Sequence, residues 1–183
     1  GAVGVTETLS EATGTPVVYY STAATAYTAA TFDSNSNKVV VAFRGSGDDG
    51  TAVVGTVNPS DNSISFGSSS VWNTDESLYI KMTFDSNSNK VVVVFEAAAI
   101  DFCDVTFDSS NNKVVIAYRD RGNSFYGTSI VGTVSGTSIS FGSPVVFNSN
   151  STVYNSITFD SSSNKAVIFY FNLGSATNGT GIV

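Results

Sequence analysis

The sequence predicts an all-β protein made of antiparallel, four-stranded repeats. The first observation is a phrase, Thr-Phe-Asp-Ser-x-x-Asn-Lys, that occurs four times, with its acid at Asp33, Asp85, Asp108 and Asp160. Successive acids lie 52, 23 and 52 residues apart, so one unit is much shorter than the others. The second observation is the pattern around the phrase, which alternates or is β-branched and nowhere has a helical period. Such a recurrence indicates copies of one supersecondary unit.

The first two strands of each unit flank the repeated phrase. An aromatic residue four positions before each Thr begins an alternating stretch that is typical of a strand; these aromatics are Tyr27, Tyr79, Phe102 and Tyr154. The Asp-Ser-x-x-Asn segment predicts a turn, because Asp and Asn side chains cap backbone N–H groups and tolerate left-handed backbone. The next run, Lys-Val-Val-Val-Ala-Phe at 38–43, is typical of a strand that is covered on both faces.

Two further strands complete the long units. A third strand is predicted at 50–57 and again at 127–134, and a fourth at 63–72 and again at 138–147. The segments between them, Asn-Pro-Ser-Asp-Asn and Ser-Gly-Thr, are typical of hairpin turns. The short unit at 79–96 contains only the first two strands.

Four-stranded units of about fifty residues, each covered by its neighbours, predict a β-propeller-like domain with about four blades. We divide this single repeat domain into an outer half-blade (1–26), a blade (27–77), a short hairpin unit (78–101), a blade (102–153) and an inner half-blade (154–183). A stacked solenoid is disfavoured, because its repeats are usually shorter and its strands parallel.

The two ends of the chain resemble the sequence of the third strand: Gly-Thr-Gly-Ile-Val at the end and Gly-Ala-Val-Gly-Val at the start. Each end therefore falls within a third strand of the repeat. We expect the two half-blades to complete one blade and close the ring. Completion between two protomers, which gives a ring or an open fibre, is the first alternative. A fragment of a longer repeat array is the second.

The run Thr-Phe-Asp-x-x-x-Asn-Lys-Val-Val-Ile-Ala-Tyr resembles the inner hairpin of tryptophan–aspartate propeller repeats. The sequence from Thr106 to Phe147 is also similar to repeats in tail-fibre-like proteins of aquatic bacteriophages and in environmental sequences. This resemblance covers nearly the whole chain. It implies a scaffold defined by its repeats, without a known catalytic motif.

Composition restricts the partners and the location. The formal net charge is -7 and only 13% of residues are charged, about half the usual share. No basic stripe is present to neutralise phosphates, so nucleic acid is excluded as a partner. No apolar run approaches the roughly 20 residues of a spanning helix, so membrane insertion is not expected. Abundant Ser, Thr, Asn and Gly are typical of an extracellular or virion-surface protein, and the single Cys103 is expected to be an apolar filler.

Few residues are suited to catalysis. The chain has no His, which excludes a Ser-His-Asp triad and most zinc sites, and no phosphate-binding loop precedes a helix, so we predict no cofactor. Hydrolysis by paired carboxylates needs only two acids about 5–10 Å apart. Glu96, Asp101 and Asp104 therefore support a glycosidase as an alternative function.

Two of the repeated turns have the alternating oxygen spacing of a calcium loop. No Gly follows them, however, and the twelfth position is Arg44 in one copy and Glu96 in the other. A turn capped by its own side chains is therefore favoured over a metal site. The weak candidate ligands are Asp33, Asn35, Asn37, Asp85, Asn87 and Asn89.

Positions that differ between the copies are free for recognition, whereas constant positions hold the scaffold. Lys81 and Asp104 are equivalent inner-strand positions of adjacent units, and we expect them to form an ion pair in a central channel. One position after the second strand differs sharply between the copies: Arg44, Glu96, Arg119 and Phe171. The loops that follow are the most divergent segments, and such loops usually carry binding. The candidate binding residues are Arg44, Glu96, Arg119, Asp120, Arg121, Asn123, Phe125, Tyr126, Lys81 and Asp104; the glycosylation acceptors by pattern are Asn150 and Asn178.

These observations together predict a non-enzymatic structural or adhesion module of an extracellular or virion fibre that binds glycans through its divergent loops. The expected partners are a cell-surface glycan or a second copy that pairs through the terminal half-blades. A carboxylate-dependent glycosidase and a self-assembling fibre subunit without a ligand are the alternatives.

Overall fold

The computed structural model describes residues 14–96, 99–174 and 178–183. Apart from a short 3-10 turn at Ser46–Asp48, the regular structure in these ranges is β-strand, and no helix in them is long and apolar enough to cross a membrane. The all-β prediction is therefore confirmed. The strands are β1 (Ala26–Asp33), β2 (Lys38–Arg44), β3 (Asp49–Asn58), β4 (Ser63–Phe66), β5 (Ser70–Glu76), β6 (Leu78–Asp85), β7 (Lys90–Glu96), β8 (Ile100–Asp108), β9 (Lys113–Asp120), β10 (Tyr126–Ser135), β11 (Ser138–Phe141), β12 (Val145–Asp160), β13 (Lys165–Asn172) and β14 (Asn178–Ile182).

The strands form three antiparallel sheets. The first has the order β1-β2-β3, and both β4 and β5 pair with β3. The second contains only β6 and β7, which correspond to the short unit. The third has the order β8-β9-β10-β12-β13-β14, with β11 also on β10. The predicted antiparallel pairing is confirmed in each sheet.

The fourth strand of each long unit is divided, which corrects the prediction of one strand at 63–72. β4 pairs with the second half of β3 and β5 with its first half, and residues 67–69 between them belong to neither. β11 and the first half of β12 repeat this arrangement on β10. In that unit the interruption includes Pro144, which has no N–H to donate to a ladder.

Strand β12 joins two of the predicted units. It pairs with β10 through residues 145–151 and with β13 through residues 152–160, without a break between them. The expected boundary between 153 and 154 therefore falls inside one strand. The blade at 102–153 and the inner half-blade share a sheet for this reason.

The predicted outer half-blade, 1–26, is described only in part, since residues 1–13 lie outside the described residues. Residues 14–25 contain no strand. The rings of Tyr19 and Tyr20 pack on Phe43 of β2, with centroids 5.1 and 4.9 Å away. The described part of this segment thus lies against the first sheet.

The repeated turn has the capped structure that its residues predict. Oδ1 of Asp33 accepts hydrogen bonds from the N–H groups of Asn35 and Ser36, at 2.9 and 3.0 Å. The side-chain hydrogen bond from Ser36, followed by the backbone one, lowers the pKa of Asp33. The Asn before each Lys has a left-handed φ of 54 to 56°, at Asn37, Asn89, Asn112 and Asn164.

Neighbouring units pack through aromatic side chains, from the fourth strand of one unit onto the second strand of the next. Trp72 contacts Phe95 of the next unit at a centroid distance of 5.3 Å, and Phe147 contacts Tyr170 at 5.1 Å. Each of these two outer rings lies over a glycine of its own sheet, Gly50 under Trp72 and Gly127 under Phe147. The same contact therefore positions successive units in both halves of the chain.

Candidate functional site

The first strand of every unit contains a β-bulge at the predicted aromatic residue. The strand register shifts there in all four copies. The aromatic has a left-handed φ each time: 52° at Tyr27, 48° at Tyr79, 49° at Phe102 and 56° at Tyr154. Such backbone is rare for bulky residues and costs about 1–3 kcal/mol, so the surrounding contacts must hold it.

The bulged strands lie beside one another in the order β1, β6, β8 and β12. Their aromatic rings meet in two pairs. The centroids of Tyr27 and Tyr79 are 4.6 Å apart, and those of Phe102 and Tyr154 are 5.3 Å apart. Tyr154 is 75% exposed, so the second pair presents a ring to solvent.

A cavity of about 320 Å³ opens between the last three of these strands. We call it the central cavity. The aromatic part of its wall is formed by Tyr79, Phe102 and Tyr154, and the polar part includes Lys81, Glu96 and Asn155. It thus combines apolar ring surfaces with a cation, a carboxyl group and an amide.

Glu96 fixes one of the bulges from the neighbouring unit. Its side chain is buried, and its Oε1 accepts a hydrogen bond from the N–H of Phe102. Burial raises the pKa of Glu96, the nearby charge of Asp101 raises it further, and the Phe102 N–H only partly offsets this. Glu96 is the last residue of β7 and lies in the wall of the central cavity.

Asp101 anchors two arginines near the start of β8. Its carboxylate is 4% exposed and accepts hydrogen bonds of 2.6 and 2.5 Å from Arg119 and of 2.8 Å from Arg121. Burial acts to raise the pKa of Asp101, but the bonds and charges of the two arginines outweigh it and lower the pKa. The guanidinium of Arg119 lies 4.6 Å from the centroid of Phe102 and 5.2 Å from that of Phe125.

Arg44, at the position in the first unit that Arg119 has in the third, makes a similar contact. Its guanidinium lies 4.9 Å from the centroid of Tyr27. Two exposed carboxylates, Asp48 at 3.4 Å and Glu76 at 3.6 Å, replace the buried acid. Both arginines therefore cover the bulged aromatic of their own unit.

The expected ion pair between Lys81 and Asp104 does not form. Both residues line a second cavity, of about 410 Å³, beside Tyr27 and Tyr79, but no ion pair within 4.0 Å joins them in the described part of the chain. Oδ2 of Asp104 instead accepts the N–H of Ile157 at 2.9 Å. The carboxylate is thus used to connect β8 to β12.

The divergent loop after β9 is a tight turn held by its own polar groups. Oδ1 of Asp120 accepts the N–H of Gly122 at 2.9 Å, and the carbonyl of Asn123 accepts the N–H of Tyr126 at 3.0 Å. Phe125 has a left-handed φ of 61° and an exposed ring beside Arg119. The loop therefore presents Phe125, whereas Asp120 and Asn123 maintain its shape.

The carboxylates of the turns considered for calcium bind within their own turns, and the two glycosylation acceptors lie on exposed strand positions. Asp85 is buried, and its carboxylate accepts hydrogen bonds from Asn87 and Ser88, as in the other capped turns. The carboxylate oxygens of the two turns considered for calcium are thus already engaged within the turns. Asn150 and Asn178 are exposed on β12 and β14.

Sequence reasoning missed Asn155. It directly follows the bulged Tyr154, and its amide is buried in the wall of the central cavity. The comparison of repeats contained the signal, since the same place in the other units is taken by Thr28, Ile80 and Cys103. Cys103 itself is buried and its pKa is raised to about 12, mainly by burial, in keeping with the expected apolar filler.

Comparison with known proteins finds no relative of the chain. No protein-family model matches it, and neither a curated protein nor a solved structure does. Its function is therefore argued from the geometry around the bulged aromatics.

Proposed function

We propose that the protein is a non-enzymatic repeat module of an extracellular or virion fibre that binds glycans. The observation that carries this proposal is the exposed aromatic surface beside fixed charged groups: the ring of Tyr154 and the ring of Phe125, with Arg119 held by the buried Asp101. Ligand sites combine aromatic surfaces with a few positioned polar groups. A sugar presents a C–H face to the first and hydroxyl groups to the second.

The architecture we propose is a small β-propeller-like ring. The adjacent bulged strands β1, β6, β8 and β12 take the place of inner blade strands, and the repeated outer contacts, Trp72 with Phe95 and Phe147 with Tyr170, support similar angles between units. We propose that the segment 1–26 completes the last unit, either in the same chain or in a second copy. A particle image in solution distinguishes a closed ring from a dimer and from a fibre.

Binding is favoured over hydrolysis by the contacts of the three candidate carboxyl groups. Asp101 is neutralised by two arginines, and Glu96 and Asp104 each accept a backbone N–H of a neighbouring strand. A general acid and a nucleophile must instead face the scissile bond with their oxygens available. These three acids thus hold the scaffold that presents the aromatic surface.

A glycan array probed with the monomeric protein tests the proposal. We expect binding to a subset of glycans, without release of free sugar, and weaker binding by Phe125→Ala and Tyr154→Ala. Phe32→Ala is the control, because Phe32 is an exposed aromatic beside a repeated turn. An array without any bound glycan contradicts the proposal. Release of sugar that disappears in Glu96→Gln supports the glycosidase instead.

A further inference from the structure

Asn155 has a buried amide for which the described residues supply no hydrogen-bond partner. The residue is 6% exposed, and neither Oδ1 nor Nδ2 has a hydrogen-bond partner within the described part of the chain. A buried amide that forms no hydrogen bond is destabilising, and native proteins usually avoid it. Such a group therefore requires an explanation.

The other units show that the fold does not require an amide at this position. The residue after the bulged aromatic is Ile80 in the second unit and Cys103 in the third, and these are 3% and 2% exposed. The same backbone geometry thus accepts an apolar side chain with full burial. An Asn at position 155 is consequently a feature of the last unit alone, and packing does not require it.

The chemistry around Asn155 restricts the ligand. Its unused donor and acceptor are closed to solvent in the wall, so a rotation of the side chain toward the cavity is part of binding. Once turned, they lie side by side and suit a ligand that offers an acceptor and a donor on adjacent atoms, as two neighbouring hydroxyl groups do. The rings of Tyr79 and Tyr154 in the same wall suit a flat C–H face. Lys81 and Glu96 bring one basic and one acidic group, which favours a neutral ligand over an anion.

The size of the central cavity points to a small ligand. Its volume of about 320 Å³ is at the lower end of ligand pockets, which range from roughly 300 to 1,000 Å³. A single sugar ring fits this description better than an extended chain. The exposure of Tyr154 at the rim leaves the cavity accessible from solvent.

We propose that the central cavity binds one neutral pyranose unit, with a pair of adjacent hydroxyl groups on the Asn155 amide and a ring face on Tyr154. This inference rests on the proposed glycan-binding function and assigns it a subsite. It differs from the loop surface around Phe125, because the central cavity lies between the bulged strands. Tyr154 belongs to both sites, so substitutions of Phe125 and Asn155 are the ones that separate them.

The test uses saturation-transfer NMR and titration of the whole chain with methyl glycosides of glucose, galactose, mannose and N-acetylglucosamine. We expect at least one to bind, and its analogue lacking one hydroxyl of the contacted pair to bind about tenfold more weakly. Asn155→Ile is the key variant, because Ile80 already occupies the equivalent position. It is expected to fold, to have a higher melting temperature and to lose binding by about tenfold or more.

Tyr154→Ala is expected to weaken the same binding, and Phe32→Ala to leave it unchanged. Wild-type affinity in Asn155→Ile, or no binding of any methyl glycoside by the wild type, overturns the subsite. If array glycans still bind and Phe125→Ala abolishes that binding, the proposed function stands while the subsite is wrong. If no glycan binds in either experiment, both are wrong.

Discussion

The guanidinium of Arg119 lies over the ring of Phe102, 4.6 Å from its centroid, and the buried carboxylate of Asp101 holds it there. Phe102 is also fixed by Glu96, which accepts its N–H, and by the ring of Tyr154. These contacts come from three different strands. Together they explain how a bulky residue remains at a left-handed φ in β8.

Removal of the Asp101 carboxylate should be strongly destabilising. Asp101→Ala leaves the guanidinium of Arg119, only 17% exposed, without its partner, and loss of one member of a buried pair costs roughly 3–5 kcal/mol. Urea unfolding measures the change. Glu76→Ala is the control, since it removes an exposed partner of Arg44 and should cost only about 0–1 kcal/mol. Equal effects of the two substitutions would show that burial of Asp101 contributes nothing.

The left-handed backbone at Tyr154 predicts an order of stabilities among its variants. Asn tolerates this backbone, whereas a β-branched residue does not. Both Tyr154→Asn and Tyr154→Val lose the exposed ring, so their difference reports the backbone conformation. We expect the Asn variant to be more stable by about 1–2 kcal/mol in chemical denaturation. A Val variant as stable as the Asn variant is incompatible with the bulge.

The raised pKa of Glu96 predicts a dependence of stability on pH. A carboxyl group with a raised pKa contributes stability that is complete below the unfolded value of 4.5 and is lost as the pH rises through the folded value. Glu96→Gln keeps an acceptor for the Phe102 N–H and cannot ionise. It should therefore be more stable than the wild type at neutral pH, and the difference should shrink toward pH 4.5.

Thermal unfolding across this pH range provides the measurement. Glu76→Gln serves as the control, because Glu76 is an exposed carboxylate near Arg44. The stability difference between Glu76→Gln and the wild type should not increase with pH in the same way. A Glu96→Gln variant that is less stable than the wild type at neutral pH would mean that the ionised carboxylate is favoured in the folded protein.

The contact between Trp72 and Gly50 predicts a packing penalty for any added side chain. A Cβ at position 50 would lie 2.5 Å from the Trp72 ring, so the ring or the strand must move. Gly50→Ala should cost about 1–3 kcal/mol, the usual range for overpacking. Gly179→Ala is the matched control, since nothing lies within 4 Å of its Cβ position. Comparable destabilisation of both variants would disprove this account.

Local chemistry made the repeated hairpins predictable. The caps of the turn need only Asp33 and the residues that follow it, and Asn37 supplies the left-handed position within the same five residues. The strands on either side have clear β-branched patterns. Strand order within the hairpins follows from these short connections.

The candidate site depended on contacts between units, which no local pattern contains. Glu96 reaches the N–H of Phe102, and Asp104 reaches that of Ile157, across strand boundaries that the repeats do not specify. The equivalent positions predicted that Arg44 and Arg119 occupy similar places, but not that each lies over an aromatic ring. The partnerless amide of Asn155 likewise results from three strands that meet in space.

Strand β12 has a mechanical consequence for the two units that it joins. The first half of β12 is hydrogen-bonded to β10 and its second half to β13. A force applied to the last unit is therefore transmitted to the third unit along one uninterrupted strand. No flexible linker separates the two units along this path. The last two units should therefore extend as one block under tension, and rupture within this block requires many hydrogen bonds to break together.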